Sequence, residues 1–394
     1  MKNNNRIAIT QGNYCGKELE LLLYLDDHNR PIELHSQSVN TPSLVGNIYI
    51  ARVSQVIEQL HAAFLQAGDL KFYFPMEDIS RLIFTKKQGN PDKLCQGDEL
   101  VVQVVRDAIK SKEICVTGNI SLGGEQVLIT TGNLLQGVSK KLPTEMRKKL
   151  KEMLSQMEPL PYGIVVRTSA ETAGVSEIRR QILELDQVYK EFVGTVLYKS
   201  CGQLIQKAPH PFFPHIKRLY REGCQQVVTD QNSWYYDLES MGMDDIEIRL
   251  YDDDEYSMEK LYNIPKILED LQKKHIYLPS GGCLVIEPTE ALTVVDVNSG
   301  RNTKKLSREA YFMANNKEAA VEIAKQLRLR NISGIVVIDF INMTEAENRE
   351  QLLTLLRSAC RNDYVKVSVL DYTKLGLVEI TREKKYQSVS EQLS

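Results

Sequence analysis

The amino-acid sequence predicts an α/β protein of several domains, with a small closed β-barrel in its N-terminal half. Its 394 residues provide two to four folding units at about 100–200 residues each. Short strand-like segments separated by glycine and proline cover residues 46–106. From residue 283 onward, strand-like and helical segments alternate, which is typical of an α/β layer.

The predicted barrel follows a short N-terminal strand pair. Residues 7–25 are predicted to form two strands around a turn at Gly16. Within residues 46–106, the string His61-Ala-Ala-Phe-Leu-Gln-Ala-Gly68 has the pattern of a strand that ends in a glycine turn. Several short strands over so few residues favour a small barrel. Barrels of this kind commonly bind oligonucleotides through aromatic and basic side chains on one face.

The segment after the predicted barrel carries a strong positive charge. A helix is predicted over residues 143–157, followed by an apolar strand that ends in Arg167 and Thr168. Only Glu145 opposes the basic residues of this region, which are Lys140, Lys141, Arg147, Lys148, Lys149 and Lys151. Such a run forms either a solvated face or a contact for nucleic acid, and the sequence leaves both open.

An acidic run, Asp-Asp-Asp-Glu, occupies residues 252–255 and follows a predicted strand. Four adjacent acids suggest a metal site. Successive side chains of an extended chain point in opposite directions, however, so a solvated loop is the favoured interpretation.

The C-terminal part alternates strands with helices. Strands are predicted over residues 283–287, 291–298 and 334–340, and a helix over 351–359 leads to a last strand over 365–370. A further helix precedes the third strand, because apolar residues there recur on one helical face. These residues are Ala319, Ala320, Ile323, Ala324 and Leu327.

Two aspartates stand near the ends of two of these strands. A strand, a crossover helix and a second strand most simply give parallel strands, so Asp296 and Asp339 come to one edge of the sheet. Neighbouring strands lie about 4.8 Å apart, and carboxylates that close repel each other unless a cation or proton lies between them. Mg²⁺ suits such a pair, and Asn298 points to the same face as Asp296. The pattern favours metal-assisted phosphodiester hydrolysis, although helix capping by these residues stays open.

Composition and charge exclude several classes of protein. With 42% apolar and 26% charged residues, the chain is neither disordered nor fibrous. No stretch of about 18 apolar residues exists, and the N-terminus lacks the apolar core of a signal peptide. Seven cysteines without a C-x-x-C pair argue against a zinc ribbon or a disulfide framework, so we expect a cytoplasmic protein with reduced thiols. Because the net charge is −3, a polyanion has to be held by local basic patches.

Two long strings in the C-terminal part resemble a known family. They are Glu287-Pro-Thr-Glu-Ala-Leu-Thr-Val-Val-Asp-Val-Asn-Ser-Gly300 and Glu322-Ile-Ala-Lys-Gln-Leu-Arg-Leu-Arg-Asn-Ile-Ser-Gly-Ile-Val-Val-Ile-Asp-Phe340. Both are similar to signatures of the ribonuclease E/G family of bacterial endoribonucleases, and the resemblance extends over residues 5–385. It implies a ribonuclease-H-like domain split in sequence (1–41 and 205–277), an S1 RNA-binding barrel (42–122), a 5′-sensor region (123–204) and a deoxyribonuclease-I-like catalytic subdomain (278–394).

The resemblance also implies roles for individual residues. Asp296 and Asp339 match aspartates that bind Mg²⁺, with Mn²⁺ as the alternative, and Asn298 matches the asparagine that supports the metal and the scissile phosphate. The RNA-contact positions of the barrel match Phe64, Phe74 and Lys112. The pocket for a 5′-monophosphate matches Gly124, Arg167, Thr168 and Lys366. Lys366 stands where the family has a second arginine, and because lysine lacks the bidentate fork we expect weaker sensing of the 5′ end.

The implied function is Mg²⁺-dependent hydrolysis of single-stranded RNA to 5′-phosphate and 3′-hydroxyl ends, in processing or decay of ribosomal, messenger or transfer RNA. One alternative is an RNA-binding or ribosome-associated protein with reduced or lost catalysis. Another, hydrolysis of DNA or a small phosphodiester, would leave the barrel and the sensor idle. No cysteine follows Cys360 to form the family's C-P-x-C zinc link. We therefore expect no structural zinc, and a monomer or dimer rather than a zinc-linked tetramer.

Overall fold

The computed structural model describes residues 5–393 except 77, 78, 109–111, 125, 244, 301–306 and 386. The chain forms two compact units: the split unit, Met1–Ser43 with His210–Ser394, and the inserted unit, Leu44–Pro209. Within the described residues they contain four β-sheets and mixed α/β structure. No helix in these residues is both long and apolar enough to cross a bilayer. The finer division into subdomains stays a prediction.

The split unit begins with three antiparallel strands, β1 (Arg6–Tyr14), β2 (Lys17–Leu25) and β3 (Pro31–Ser38). The predicted turn at Gly16 joins the first two strands. Its φ of 79° is a left-handed conformation, which glycine adopts without strain.

The inserted unit begins with the predicted barrel. Its strands are β4 (Ile48–Ile57), β5 (Ala62–Ala67), β6 (Leu70–Pro75), β7 (Phe84–Lys86), β8 (Glu99–Arg106) and β9 (Ile114–Thr117). Strand β4 pairs with both β5 and β8, which closes a ring of five strands in the order β4-β5-β6-β9-β8. Alternate side chains, among them Ala63, Leu65, Phe72 and Val102, fill the interior of this barrel.

A four-stranded sheet and two helices complete the inserted unit. The elements are β10 (Ser121–Gly123), β11 (Val127–Thr130), β12 (Gln136–Val138), α1 (Thr144–Ser155), β13 (Gly163–Val166), α2 (Val175–Val196) and β14 (Leu204–Gln206). The sheet order is β10-β11-β13-β12, and β14 pairs with β4 of the barrel. Buried residues of both helices, such as Leu150 and Ile178, pack on the core beneath this sheet.

The chain then returns to the split unit. The elements are α3 (Phe213–Arg221), β15 (Gln226–Thr229), α4 (Asn232–Glu239), β16 (Glu247–Leu250), α5 (Met258–Leu261) and α6 (Ile264–Gln272). Strand β15 runs parallel to β1, with Ile9 opposite Thr229, so segments distant in sequence form one sheet in the order β16-β15-β1-β2-β3.

The last part of the split unit is a six-stranded sheet under two long helices. The elements are β17 (His275–Tyr277), β18 (Cys283–Pro288), β19 (Leu292–Asn298), α7 (Arg308–Leu329), β20 (Gly334–Asp339), α8 (Ala346–Cys360), β21 (Val367–Tyr372), β22 (Val378–Arg382) and α9 (Val389–Leu393). The sheet order is β17-β18-β19-β20-β22-β21, and β19 and β20 are parallel, as predicted. Helices α7 and α8 cover one face over a core that includes Val295 and Ile338. The opposite face, called the outer face below, carries the alternate side chains.

Candidate active site

Strands β19 and β20 bring Asp296 and Asp339 side by side. The two residues are direct partners in the parallel register, so their backbones lie about 4.8 Å apart. Both side chains are exposed on the outer face, whereas the preceding residues, Val295 and Ile338, are buried beneath them. The two carboxylates, called the aspartate pair below, therefore meet at the C-terminal edge of two neighbouring strands.

The surroundings of the aspartate pair leave it open to a cation. The Asn298 side chain donates a hydrogen bond from Nδ2 to Oδ2 of Asp296 at 2.6 Å. Among the described residues, no lysine or arginine forms an ion pair with either aspartate. Capping of the following helices falls to other residues, because Ser307 caps α7 and Glu345 occupies the cap position of α8. A set of exposed oxygen donors without a cationic partner suits a hard divalent ion such as Mg²⁺.

Polar side chains of α7 fix the segment that follows Asp339. Asn316 donates to the carbonyl of Ile341 at 2.7 Å and accepts from its N–H at 3.0 Å. Glu309 accepts from the N–H groups of Glu345 and Thr344, and these bonds lower the pKa of Glu309 to about 2. The strand end that carries Asp339 is thereby anchored to the crossover helix.

The barrel presents an aromatic pair on its surface. Phe64 on β5 lies directly opposite Tyr73 on β6, and the half-buried rings meet edge to face with centroids 6.0 Å apart. The predicted second stacking residue, Phe74, is 0% exposed and lies inside the barrel. Neighbouring residues of a strand face opposite sides, so the ring of Phe74 is not available at the barrel surface, and the ring beside Phe64 there is that of Tyr73. The sequence offers one hint that Tyr73 is the surface residue, because it is the only one of the three successive aromatic residues with a polar group.

The row of side chains that contains the aromatic pair continues across the barrel. Gln55 on β4 lies opposite Phe64, and Cys115 on β9 lies opposite both Tyr73 and Arg106. The predicted RNA contact Lys112 is exposed just before β9. Two rings flanked by polar and basic groups match the way single-stranded nucleic acid is held on such barrels. Sequence reasoning missed Gln55, Tyr73 and Arg106 because their common row depends on strand register.

Three of the four predicted 5′-phosphate residues lie at one end of the four-stranded sheet. Gly124 is exposed and directly follows β10, and the N–H of Arg167 donates to the carbonyl of Gln126, just before β11, at 2.8 Å. Arg167 and Thr168 are exposed. The Thr168 hydroxyl lies 2.8 Å from that of Ser139, a residue that sequence reasoning missed. An exposed arginine and two hydroxyls, which are groups that bind phosphate, therefore belong to neighbouring residues at this end of the sheet.

The fourth predicted residue, Lys366, belongs to the split unit. Its carbonyl accepts from the N–H of Glu383, next to Arg382, which pairs with Gly334 at the start of β20. Asp339 is at the other end of β20, about 16 Å further along the strand. Lys366 is thus separate from the aspartate pair, and its role in sensing stays a prediction.

The basic run lies on and before helix α1. The buried side of that helix consists of Leu150, Met153 and Leu154, and Lys148 and Lys149 are exposed. Within the part of the chain that the structure describes, no acidic side chain pairs with the basic residues of this run. Both interpretations, a solvated face and a nucleic-acid contact, remain compatible with this placement.

The acidic run lies in the loop between β16 and α5. Its residues are exposed, and the Asp253 carboxylate accepts from the N–H groups of Glu255 and Tyr256 at 3.0 and 2.9 Å. The run therefore organises its own loop, as expected for a solvated segment.

A buried group of metal-type side chains lies elsewhere in the split unit and consists of Glu33, His35 and His215. The two imidazole rings stack with centroids 3.6 Å apart and planes inclined by 29°. A metal ion lies near the plane of each imidazole that binds it, so two nearly parallel rings do not suit one ion. Glu33 also accepts a hydrogen bond from Arg218, and burial lowers the pKa of both histidines. The group is best described as a buried ion pair beside two neutral imidazoles.

Comparison with known proteins shows the family of the chain. A profile described as Ribonuclease E/G family matches residues 121–385. The chain belongs to the ribonuclease E/G family. It is 31% identical over 396 residues to "Ribonuclease E" of Escherichia coli and 30% identical over 395 residues to that of Haemophilus influenzae, with 94% of this chain covered in each case. It is 30% identical over 388 residues to "Ribonuclease G" of Salmonella typhimurium, with 91% of this chain covered.

These relatives of the ribonuclease E/G family differ in length from the chain. The matches cover 36% of the Escherichia coli ribonuclease E, 41% of the Haemophilus influenzae ribonuclease E and 76% of the Salmonella typhimurium ribonuclease G. The chain thus spans about two fifths of these two ribonuclease E proteins.

Proposed function

We propose that this member of the ribonuclease E/G family is a metal-dependent endoribonuclease that hydrolyses single-stranded RNA in RNA processing or decay. The observation that carries the proposal is the exposed, in-register aspartate pair on β19 and β20. Among the described residues neither carboxylate has a cationic partner, and two carboxylates this close repel each other unless a cation or a proton lies between them. Family membership supports the assignment of RNA as the substrate.

The residues at this edge have separate tasks. Asp296 and Asp339 would hold the metal, and Mg²⁺ or Mn²⁺ would suit them because all the donors are oxygens. Such an ion would supply a water of lowered pKa and would neutralise charge at the phosphate. Asn298 positions the Asp296 carboxylate through the 2.6 Å bond to Oδ2. Hydrolysis at this site leaves a 5′-phosphate and a 3′-hydroxyl.

The inserted unit binds the single-stranded RNA. A base stacked on Phe64 or Tyr73 contributes about 1–3 kcal/mol with little dependence on sequence, and Arg106 and Lys112 contact phosphates beside the rings. Arg167, Thr168 and Ser139 receive a terminal 5′-phosphate at the end of the four-stranded sheet.

Cleavage of one A/U-rich single-stranded RNA with a 5′-monophosphate and a 3′ fluorophore tests the proposal. We expect cleavage with Mg²⁺, none with EDTA, and products whose new 3′ ends are extended by a poly(A) polymerase. Asp339→Asn should be inactive on the same RNA.

Glu379→Gln is the matched control, because Glu379 lies beside Val337 on the outer face but outside the aspartate pair. It should cleave like the wild type. RNA binding without metal-dependent cleavage would instead favour an RNA-binding protein with lost catalysis. Equal affinity for DNA and RNA would point to a different substrate class.

A further inference from the structure

The outer face of the six-stranded sheet extends beyond the aspartate pair toward β17. Through the strand registers, Asp296 lies opposite Val285, which lies opposite His275. In the next row, Asn298 lies opposite Cys283, which lies opposite Tyr277. Directly paired residues share a face, so His275 and Tyr277 project on the same side as the aspartate pair.

Tyr277 stands out among the side chains of this face. It is 81% exposed, whereas its neighbours Ile276 and Leu278 pack into the core. Within the described residues no aromatic ring stacks on it and no hydrogen bond holds its hydroxyl. A tyrosine usually buries part of its ring, so a ring with this much exposed surface is suited to stack on a flat partner such as a base.

The surface between Tyr277 and the aspartate pair carries only short side chains. Only Cys283 separates Tyr277 from Asn298 in one row, and only Val285 separates His275 from Asp296 in the other. Two steps between strands place Tyr277 about 10 Å from Asn298. The outer face therefore forms a shallow shelf, with carboxylates at one side, small side chains in the middle and an aromatic ring at the other side.

We propose that Tyr277 is a base-stacking residue for a nucleotide next to the scissile phosphate, and that this contact helps to select where the strand is cut. The inference rests on the proposed function. When the scissile phosphate lies at the aspartate pair, the RNA backbone of a neighbouring nucleotide passes over Cys283 and Val285, and the base of that nucleotide stacks on the exposed ring of Tyr277. The selected feature is an unpaired base, since a base within a duplex cannot stack on Tyr277.

Fluorescence tests this contact without cleavage. A stacking-quenched fluorescent adenine analogue is placed on either side of the scissile phosphate, and each RNA is titrated with Asp339→Asn protein. We expect quenching at one of the two positions, retained in Asp339→Asn/Tyr277→Phe and lost in Asp339→Asn/Tyr277→Ala. Quenching that does not depend on Tyr277 at either position would overturn the inference.

Kinetics give the second readout. Tyr277→Ala should lower kcat/KM by about 5- to 150-fold, and Tyr277→Phe should stay close to wild type. An RNA with an abasic nucleotide at the quenched position should lower kcat/KM of the wild type by the same factor. The same RNA should not lower kcat/KM of Tyr277→Ala any further. Tyr236→Ala is the control, since Tyr236 is 69% exposed but lies on α4. Unchanged kinetics of Tyr277→Ala, or a change in its oligomeric mass instead, would contradict base stacking.

The two proposals fail in different ways. If Asp339→Asn protein cleaves RNA, the proposed function is wrong whatever Tyr277 does. If Asp339→Asn is inactive but Tyr277 affects neither quenching nor kcat/KM, only the stacking contact is wrong.

Discussion

The aspartate pair of the split unit and the aromatic pair of the inserted unit have the same kind of strand geometry, and we propose different roles for them. Each consists of two residues directly opposite on neighbouring strands, with buried partners on the alternate positions. Carboxylates placed in this way repel each other unless a cation or a proton lies between them, whereas aromatic rings stack on bases with little dependence on sequence. If these roles are right, variants of the aspartate pair should mainly lower the rate of cleavage, and variants of the aromatic pair should mainly weaken the binding of RNA.

The largest effect is expected at the aspartate pair. Asp296→Asn removes one of two carboxylates from the cation, so kcat should fall by at least about 100-fold, since such an ion contributes several kcal/mol to the transition state. RNA affinity measured in EDTA should be unchanged or tighter, because one negative charge near the phosphate is gone. Single-turnover cleavage and fluorescence anisotropy measure the two quantities. If Asp296→Asn binds RNA more weakly but cleaves it at the wild-type rate, the aspartate pair binds RNA and does not take part in cleavage.

The aromatic pair should show the converse behaviour. Phe64→Ala and Tyr73→Ala should each raise the Kd for single-stranded RNA by about 5- to 150-fold, the equivalent of about 1–3 kcal/mol for one stacked base. The rate at saturating RNA should remain close to that of the wild type. Anisotropy titrations and single-turnover rates at saturating protein provide the test.

Leu60→Ala is the control for the aromatic pair, because Leu60 is an exposed apolar residue of the same unit that carries no ring. It should bind RNA like the wild type. If Phe64→Ala and Leu60→Ala bind equally well, the barrel surface does not hold RNA by stacking.

The sequence predicts the aspartate pair better than the aromatic pair for a physical reason. A strand, a long crossover helix and a second strand leave one simple arrangement, so the parallel register of Asp296 and Asp339 could be anticipated. In the barrel, a shift of one residue moves a side chain from the surface to the interior, and Phe72-Tyr-Phe gives no alternation of polarity strong enough to fix the face. The family resemblance matches Phe74 to an RNA contact, whereas the structure places the ring of Phe74 inside the barrel and that of Tyr73 at its surface. Ser139 was missed because its contact with Thr168 joins two segments distant in sequence.

A smaller effect is expected at the end of the four-stranded sheet. Arg167→Ala should reduce the preference for a 5′-monophosphate over a 5′-hydroxyl RNA by about 10-fold, as expected for one hydrogen bond to a charged group. The preference of Arg167→Lys should lie between those of the wild type and Arg167→Ala, because lysine keeps the charge and loses the bidentate geometry. The ratio of kcat/KM for the two RNAs measures the preference. Arg179→Ala, which removes an exposed arginine of α2, should leave the ratio unchanged, and an equal loss there would mean that only net charge matters.

The smallest effect concerns how firmly the aspartate pair is anchored. The pKa of Glu309 is lowered from 4.5 to about 2 by the N–H groups of Glu345 and Thr344, so its contribution to stability is complete above about pH 4.5 and is lost as the pH falls toward 2. Glu309→Gln should therefore lower the urea midpoint of the split unit at pH 7, and the difference from wild type should shrink at pH 3. Fluorescence of Trp234, the single tryptophan, which is buried in that unit, reports the midpoint.

Glu350→Gln is the control, because Glu350 is an exposed carboxylate of α8, and its effect on the midpoint should not depend on pH in this way. A Glu309→Gln difference that is equal at both pH values would mean that the carboxylate charge is not what holds the loop after Asp339.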